Sequence, residues 1–397
     1  VPTAEPLPSA PPEAAPAPVE EKKPEYKITT GVGVRFGAQF QSLRRPPTKV
    51  SNVGMSNFSV DEIYVEPRFS GQVLGFVGWT ANLAVSGITP STAVSVGTPP
   101  PMGPPVIFEA RAMDLVAQLD FMDEFHLWGG RMLTPSDRSN FSGPWFMSPW
   151  DYPGLYYVGS SGLAPTYVGP RGTEEIGREV GAVAWGDIGK GKFKYYAGMM
   201  DLDDAPKNTP LYTARVQYAI LGAEPGFYGS STYYGAQDIV AIGAAAQYQN
   251  RFDPLPGSVH ADDLTEINFD VLAEFNVGTS GTISAEGAYY HVDSGKSAGV
   301  MPYDDAYFFV LSYLTPELGP GKLQPLFRYQ GAIDKKTAPA EDVTMSMIEG
   351  QVAYVMKDYF AKLNIGFQHT NMGKVSPLDG TKNVKGNAIQ FGFQIQQ

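Results

Sequence analysis

The residue types best suited to chemistry are sparse in this chain and badly spaced for it. Nucleophilic or metal-assisted catalysis needs several reactive groups brought into one constellation, and the four histidines, His126, His260, His291 and His369, stand far apart with no ligand-like interval. Cysteine is absent, which excludes thiolate nucleophiles, disulfides and cysteine-ligated zinc. No glycine-rich phosphate loop occurs, and no histidine lies beside a convincing nucleophile. The expectation is a non-enzymatic protein without cofactor or metal; a lipase finds no support in these residues.

What remains is charge carried singly along alternating segments, a pattern that can sort solutes by their charge without breaking bonds. Parity places Arg35, Arg68, Arg111, Arg131, Lys192, Lys194 and Arg215 on the polar face of the first half of the chain. It places Glu266, Asp270, Glu274, Glu286 and Glu349 on the polar face of the second half. If those faces line one lumen, cations would occupy one wall and carboxylates the other, with a field between them. Glu62, Glu66 and Glu109 dilute the basic half, and the competing reading is that all these charges are merely solvated.

The elements that must position such charges are strands. The chain of 397 residues holds 44 Gly, 34 Pro, 22 Tyr and 22 Phe beside only 18% charged residues, a balance that suits strands and turns over helices. No apolar run reaches the roughly 18 residues that a membrane-spanning helix needs. Alternation is clearest from Glu266 to Val277, where Ile267, Phe269, Val271, Ala273, Phe275 and Val277 share one face and Leu272 alone intrudes on the polar one. The first strand, Val32 to Gln41, and the last, Ile389 to Gln396, alternate likewise and are natural partners for closure. Sixteen such segments separated by alternately short and long connections predict a transmembrane antiparallel β-barrel, short turns on the periplasmic side and long loops outside.

Segments 105–120 and 304–315 alternate poorly, which predicts a bulge or a shifted boundary. The connection after Leu221 breaks the short-turn rule: a Glu224-Pro225-Gly226 turn precedes about ten residues that extend the following strand or belong to none.

The longest connection, 134–174, carries Asp137, Arg138, Trp145, Phe146, Trp150 and Tyr152, and then Tyr156 and Tyr157. So many aromatics are costly in water, so the loop is expected to fold against the lumen wall and narrow the pore; the alternative is an external lid or subunit contact. Just before it, DEFHLWGGRMLTPSDRSNFSG, with Gly130, Arg131 and Pro135, resembles the strand-and-loop signature of the phosphate-selective porin O/P family. The resemblance implies a homotrimeric porin whose third outer loop folds inward. The chain departs from that pattern in ending Ile395-Gln396-Gln397 without a terminal aromatic and in lacking a lysine-rich loop, so phosphate selectivity does not carry over.

Residues 1–25, rich in Pro, Ala and Glu, cannot bury enough apolar surface to order themselves and read as a disordered periplasmic spacer, with contact to the cell wall as the other reading. The sequence starts without initiator Met or apolar h-region, as expected after signal-peptide cleavage and export to a bacterial outer membrane. A formal net charge of -12 argues against a nucleic-acid partner. The partners expected are outer-membrane lipid and lipopolysaccharide, further copies of the chain, and small hydrophilic solutes passing by diffusion. The rival class is an adhesin or receptor barrel acting through its outer loops.

Overall fold

The computed structural model describes residues 27–44, 55–88, 107–153, 177–201, 209–252, 262–293, 304–334, 343–372 and 384–397. The tail expected over residues 1–25, and Tyr156 and Tyr157 of the long loop, lie outside the described residues.

Sixteen strands follow one another: β1 (Lys27–Arg44), β2 (Met55–Leu74), β3 (Val77–Ile88), β4 (Ile107–Met122), β5 (Phe125–Leu133), β6 (Arg178–Ile188), β7 (Phe193–Asp201) and β8 (Leu211–Leu221). They continue as β9 (Ile239–Phe252), β10 (Asp262–Asn276), β11 (Thr282–Asp293), β12 (Asp305–Leu314), β13 (Lys322–Asp334), β14 (Val343–Lys357), β15 (Ala361–Met372) and β16 (Val384–Gln396). Each pairs antiparallel with its sequence neighbours, and β1 closes on β16 with Phe36 opposite Phe393 and Arg35 opposite Gln394. The result is a closed barrel with no free sheet edge.

Side-chain parity decides which solvent each face meets. Phe36, Phe269, Leu311, Ile365 and Phe391 stand exposed on the outside, while Glu266, Asp270, Glu349 and Gln394 are buried within. This inverts a soluble protein and matches a barrel with lipid outside and a polar interior. No helix among the described residues is long and apolar enough to cross a membrane, so only strands can do so.

The poorly alternating segments have different causes. On β4 the register slips between Asn82 and Leu83 of β3, where Ala112 and Asp114 face consecutive partners; this bulge moves the inward set from Arg111 and Met113 to Asp114 and Val116. On β12 the register is regular, but the inward residues are themselves apolar: Ala306, Phe308 and Val310 are buried.

Candidate functional site

The first element of the site is the outer insert, residues 134–153. Asp137 caps the short helix α1 (Arg138–Ser142), its carboxylate accepting from the Ser139 amide at 3.0 Å and from the Tyr290 hydroxyl of β11 at 2.8 Å. Burial pushes the Asp137 carboxyl up to about 6, against the lowering effect of the Tyr290 hydrogen bond. Beyond α1 the backbone has no regular structure to satisfy its carbonyls, and cations of the wall do so instead. Arg35 donates to Pro144 O and, at 2.9 Å, to Trp150 O. Lys362 donates to Met147 O at 2.9 Å, and Arg328 to Asp151 O at 2.6 Å.

Two tryptophans fix this insert to the seam between first and last strands. Trp145 lies over Gly33 and donates to Glu66 at 2.5 Å, with the Arg68 guanidinium 4.6 Å from its ring. Trp150 lies over Gly392 with Arg35 4.2 Å from its ring, and its amide donates to Gln351 at 3.1 Å. A Cβ at either glycine would collide with the indole, so the missing side chains make the seats.

The second element was not expected. Residues 222–238, at the short-turn end, neither lengthen β9 nor form a turn; they fold back into the barrel. Glu274 anchors this inner insert through the Thr232 hydroxyl at 2.7 Å and the amides of Tyr233 and Gly235 at 3.1 and 2.8 Å. Lys194 donates to the carbonyls of Gly226 and Tyr228, each at 3.1 Å. Leu272, the intruder on the polar face of β10, is buried with Ala219, Ile239 and Ala241, and Tyr233 packs on this cluster.

The two inserts meet inside the lumen. Arg138 of the outer one makes a two-pronged ion pair with Glu224 of the inner one at 2.6 and 2.7 Å and also donates to Ser230 O at 2.9 Å. Burial alone would raise the Glu224 carboxyl, but Arg138 outweighs it and holds the group down at about 2. The Ser231 amide donates to Phe146 O at 3.1 Å, and Phe141 meets Phe227 edge-on with centroids 5.3 Å apart. Phe227 also stacks on Trp128 at 4.6 Å and meets Trp185 at 5.4 Å. Across β4 to β7, therefore, the inward face carries an apolar patch, with Val116, Trp128, Val183, Trp185 and Tyr196 all buried.

The charges assigned from sequence fall into distinct places. Arg35, Lys194 and Arg215 point inward and are buried; Arg68 points inward half-exposed, and Arg111, opposite buried Ala84, shares that side. Lys192 is corrected: it precedes β7 in an exposed turn and hydrogen-bonds Ala219 O at 3.4 Å, at the rim and off the wall. Arg131 is corrected as well. It sits opposite Leu115 and Val180, both outward and exposed, so it faces out of the barrel. Inward parity on β5 belongs to Trp128 and Met132.

The carboxylates Glu266, Asp270, Glu274, Glu286 and Glu349 all face inward and are buried. They do not form a wall opposed to a basic one. Arg215 pairs with Asp270 at 2.5 Å, Arg328 with Glu349 at 2.5 Å, Arg178 with Asp114 at 2.8 Å and Arg68 with Glu66 at 2.9 Å, so opposite charges neutralise each other locally. Glu286 accepts from Ser139 of the outer insert at 3.5 Å and from Ser231 of the inner one. Of the insert residues, Trp145, Trp150 and Tyr152 are buried, while Phe146 is part-exposed against Tyr359, centroids 4.8 Å apart. Sequence reasoning missed Arg328, Lys362 and Glu224; no group of three or more metal-ligating side chains exists among the described residues.

A closed sixteen-strand antiparallel barrel, apolar outside and ionic inside, with inserts in its lumen, defines the outer-membrane β-barrel class. Structures of OmpT from Vibrio cholerae share this fold: a loop L8 deletion mutant is 12% identical, with 94% of this chain and 99% of that one covered and a TM-score of 0.52. OprB of Pseudomonas putida is 11% identical over 93% of this chain and 94% of its own, TM-score 0.51. OmpF of Salmonella typhi, solved with daunomycin, is 10% identical over 93% of this chain and 97% of its own, TM-score 0.50. No protein-family model matches the sequence, and no curated protein matches it either.

Proposed function

We propose that the protein is an outer-membrane channel through which ions and small hydrophilic solutes diffuse, without chemistry or energy input, at a constriction made by its two inserts. The observation that carries this reading is the pairing of a lipid-compatible outer surface with an interior of paired charges crossed by a tryptophan-anchored insert. Lipid and lipopolysaccharide would contact the outward apolar belt. A homotrimer is part of the proposal, on the strength of the sequence resemblance and of the Vibrio cholerae OmpT structure described as a trimer form. The phosphate-selective kinship is not, since the arginine of the motif that suggested it faces outward.

A second reading, an adhesin or receptor barrel, is favoured by one fact: the inserts bury inward residues from β8 round to β16 and β1. Single-channel current across a planar bilayer under a KCl gradient decides between them. Discrete conductance steps support the channel, with the reversal potential reporting ion preference; silence from properly inserted protein overturns it in favour of the receptor.

A further inference from the structure

The inserts do not cover the inner wall evenly. On β11 to β15, inward residues two or three positions from the short-turn end are already buried: Ser284 is 6% exposed, Ser312 3%, Gln324 1% and Asn364 7%. On β2 to β5, inward polar residues stay open to solvent both near that end, where the Asp120 side chain is 32% exposed, and deeper in the barrel, where that of Arg68 is 24% exposed. Thr80, Asn82 and Gln118 on the same stretch of wall are part-exposed, and the His126 side chain is 12% exposed.

These residues form a continuous floor. Arg68 lies opposite Asn82, Asn82 opposite Asp114, Thr80 beside Gln118 at 3.3 Å, and Asp120 beside His126 at 2.7 Å. The edges are aromatic: Trp145 of the outer insert stands over Arg68 on one side, and the Trp128–Phe227 stack closes the other.

We propose that solutes cross the barrel through this slot along β2–β5, and that Asp120 biases it towards small cations. Arg68 is balanced by Glu66 at 2.9 Å; Asp120 accepts from the Trp128 indole at 2.9 Å and from His126 Nδ1 at 2.7 Å, an ion pair only when that imidazole is protonated, and no Arg or Lys pairs with it among the described residues. Exposed Asp123 and Glu124 in the turn below add the same sign at the mouth. The inference rests on the channel reading for its transport aspect, but the slot itself can be tested without it.

The absence of native cysteine makes single-cysteine probes clean. Thr80→Cys and Ser312→Cys, each in the full chain folded in detergent, are reacted with a small charged thiol reagent and the labelling rates compared. Thr80→Cys should react at least about tenfold faster, because thiol reactivity follows exposure. Equal rates, or faster reaction at Ser312→Cys, overturn the slot; Asn82→Cys and Ser284→Cys repeat the comparison should either variant misfold. In bilayers, the same reagent should cut current through Thr80→Cys and leave Ser312→Cys unchanged, and Asp120→Asn should move the reversal potential towards anions. Fast labelling with no current in the unmodified protein would retain the slot and remove the channel, whereas current unaffected by labelled Thr80→Cys or an unmoved reversal potential would overturn the route or the bias.

Discussion

Replacing Glu224 by Gln should uncouple the two inserts while leaving the barrel intact. Both members of the Arg138–Glu224 pair are about 1% exposed and share two short hydrogen bonds, so removing the carboxylate strands a buried guanidinium. Breaking a buried pair from one side typically costs about 3–5 kcal/mol. Arg138 would keep Ser230 O at 2.9 Å and Asp270 at 3.6 Å, which argues for the lower end. A loss of about 3 kcal/mol is roughly two powers of ten in the ratio of docked to undocked inserts. The sixteen-strand ladder does not include either residue, so the loss should appear as local opening. Amide hydrogen exchange across 136–143 and 226–235 should quicken by that factor in Glu224→Gln, with strand amides unchanged, and single-channel traces should gain flicker. Arg138→Met combined with Glu224→Met should recover much of the loss, because no unpaired charge remains. Unchanged exchange in Glu224→Gln, or losses that simply add in the double variant, would refute the coupling.

The remaining predictions concern the same lumen. Because burial raises Asp137 to about 6, its protonated form favours the docked insert: docking should strengthen as pH falls through 6 and level off below about 4, the ordinary carboxyl value. Hydrogen-exchange protection at 137–142, corrected for the intrinsic pH dependence of amide exchange, checks this between pH 7 and pH 4, and Asp137→Asn should flatten the profile; greater protection at the higher pH would contradict it. Arg35→Met should free the carbonyls of Pro144 and Trp150 at about 1–3 kcal/mol per unsatisfied group and raise conductance, whereas an unaltered conductance would mean that the insert is held elsewhere. Gly392→Val should eject Trp150 from its seat and red-shift tryptophan emission, while the same change at Gly350, whose Cβ would meet nothing within 4 Å, should not. Arg131→Met should leave ion selectivity untouched because the side chain faces out, and a shifted reversal potential would count against that placement.

Period-two alternation was enough to settle the barrel, since an antiparallel strand between lipid and a polar interior must alternate and the first and last strands carried the same pattern. The inwardness of Arg35, Arg215, Asp270 and Glu349 was legible for the same reason, as was the pull of Trp145 and Trp150 away from water. Where the interior is itself apolar, parity loses its meaning. On β5, Trp128 and Met132 face in and Arg131 faces out, so a rule that sends charge to the lumen picks the wrong face. Leu272 was the one trace of the inner insert in strand alternation, and by itself it could not say that residues 222–238 return to cover it. Which cation meets which carboxylate depends on strand stagger and on where the inserts dock, both set by contacts between residues far apart in the chain. Arg138 with Glu224 and Arg215 with Asp270 become partners only when the barrel closes round them.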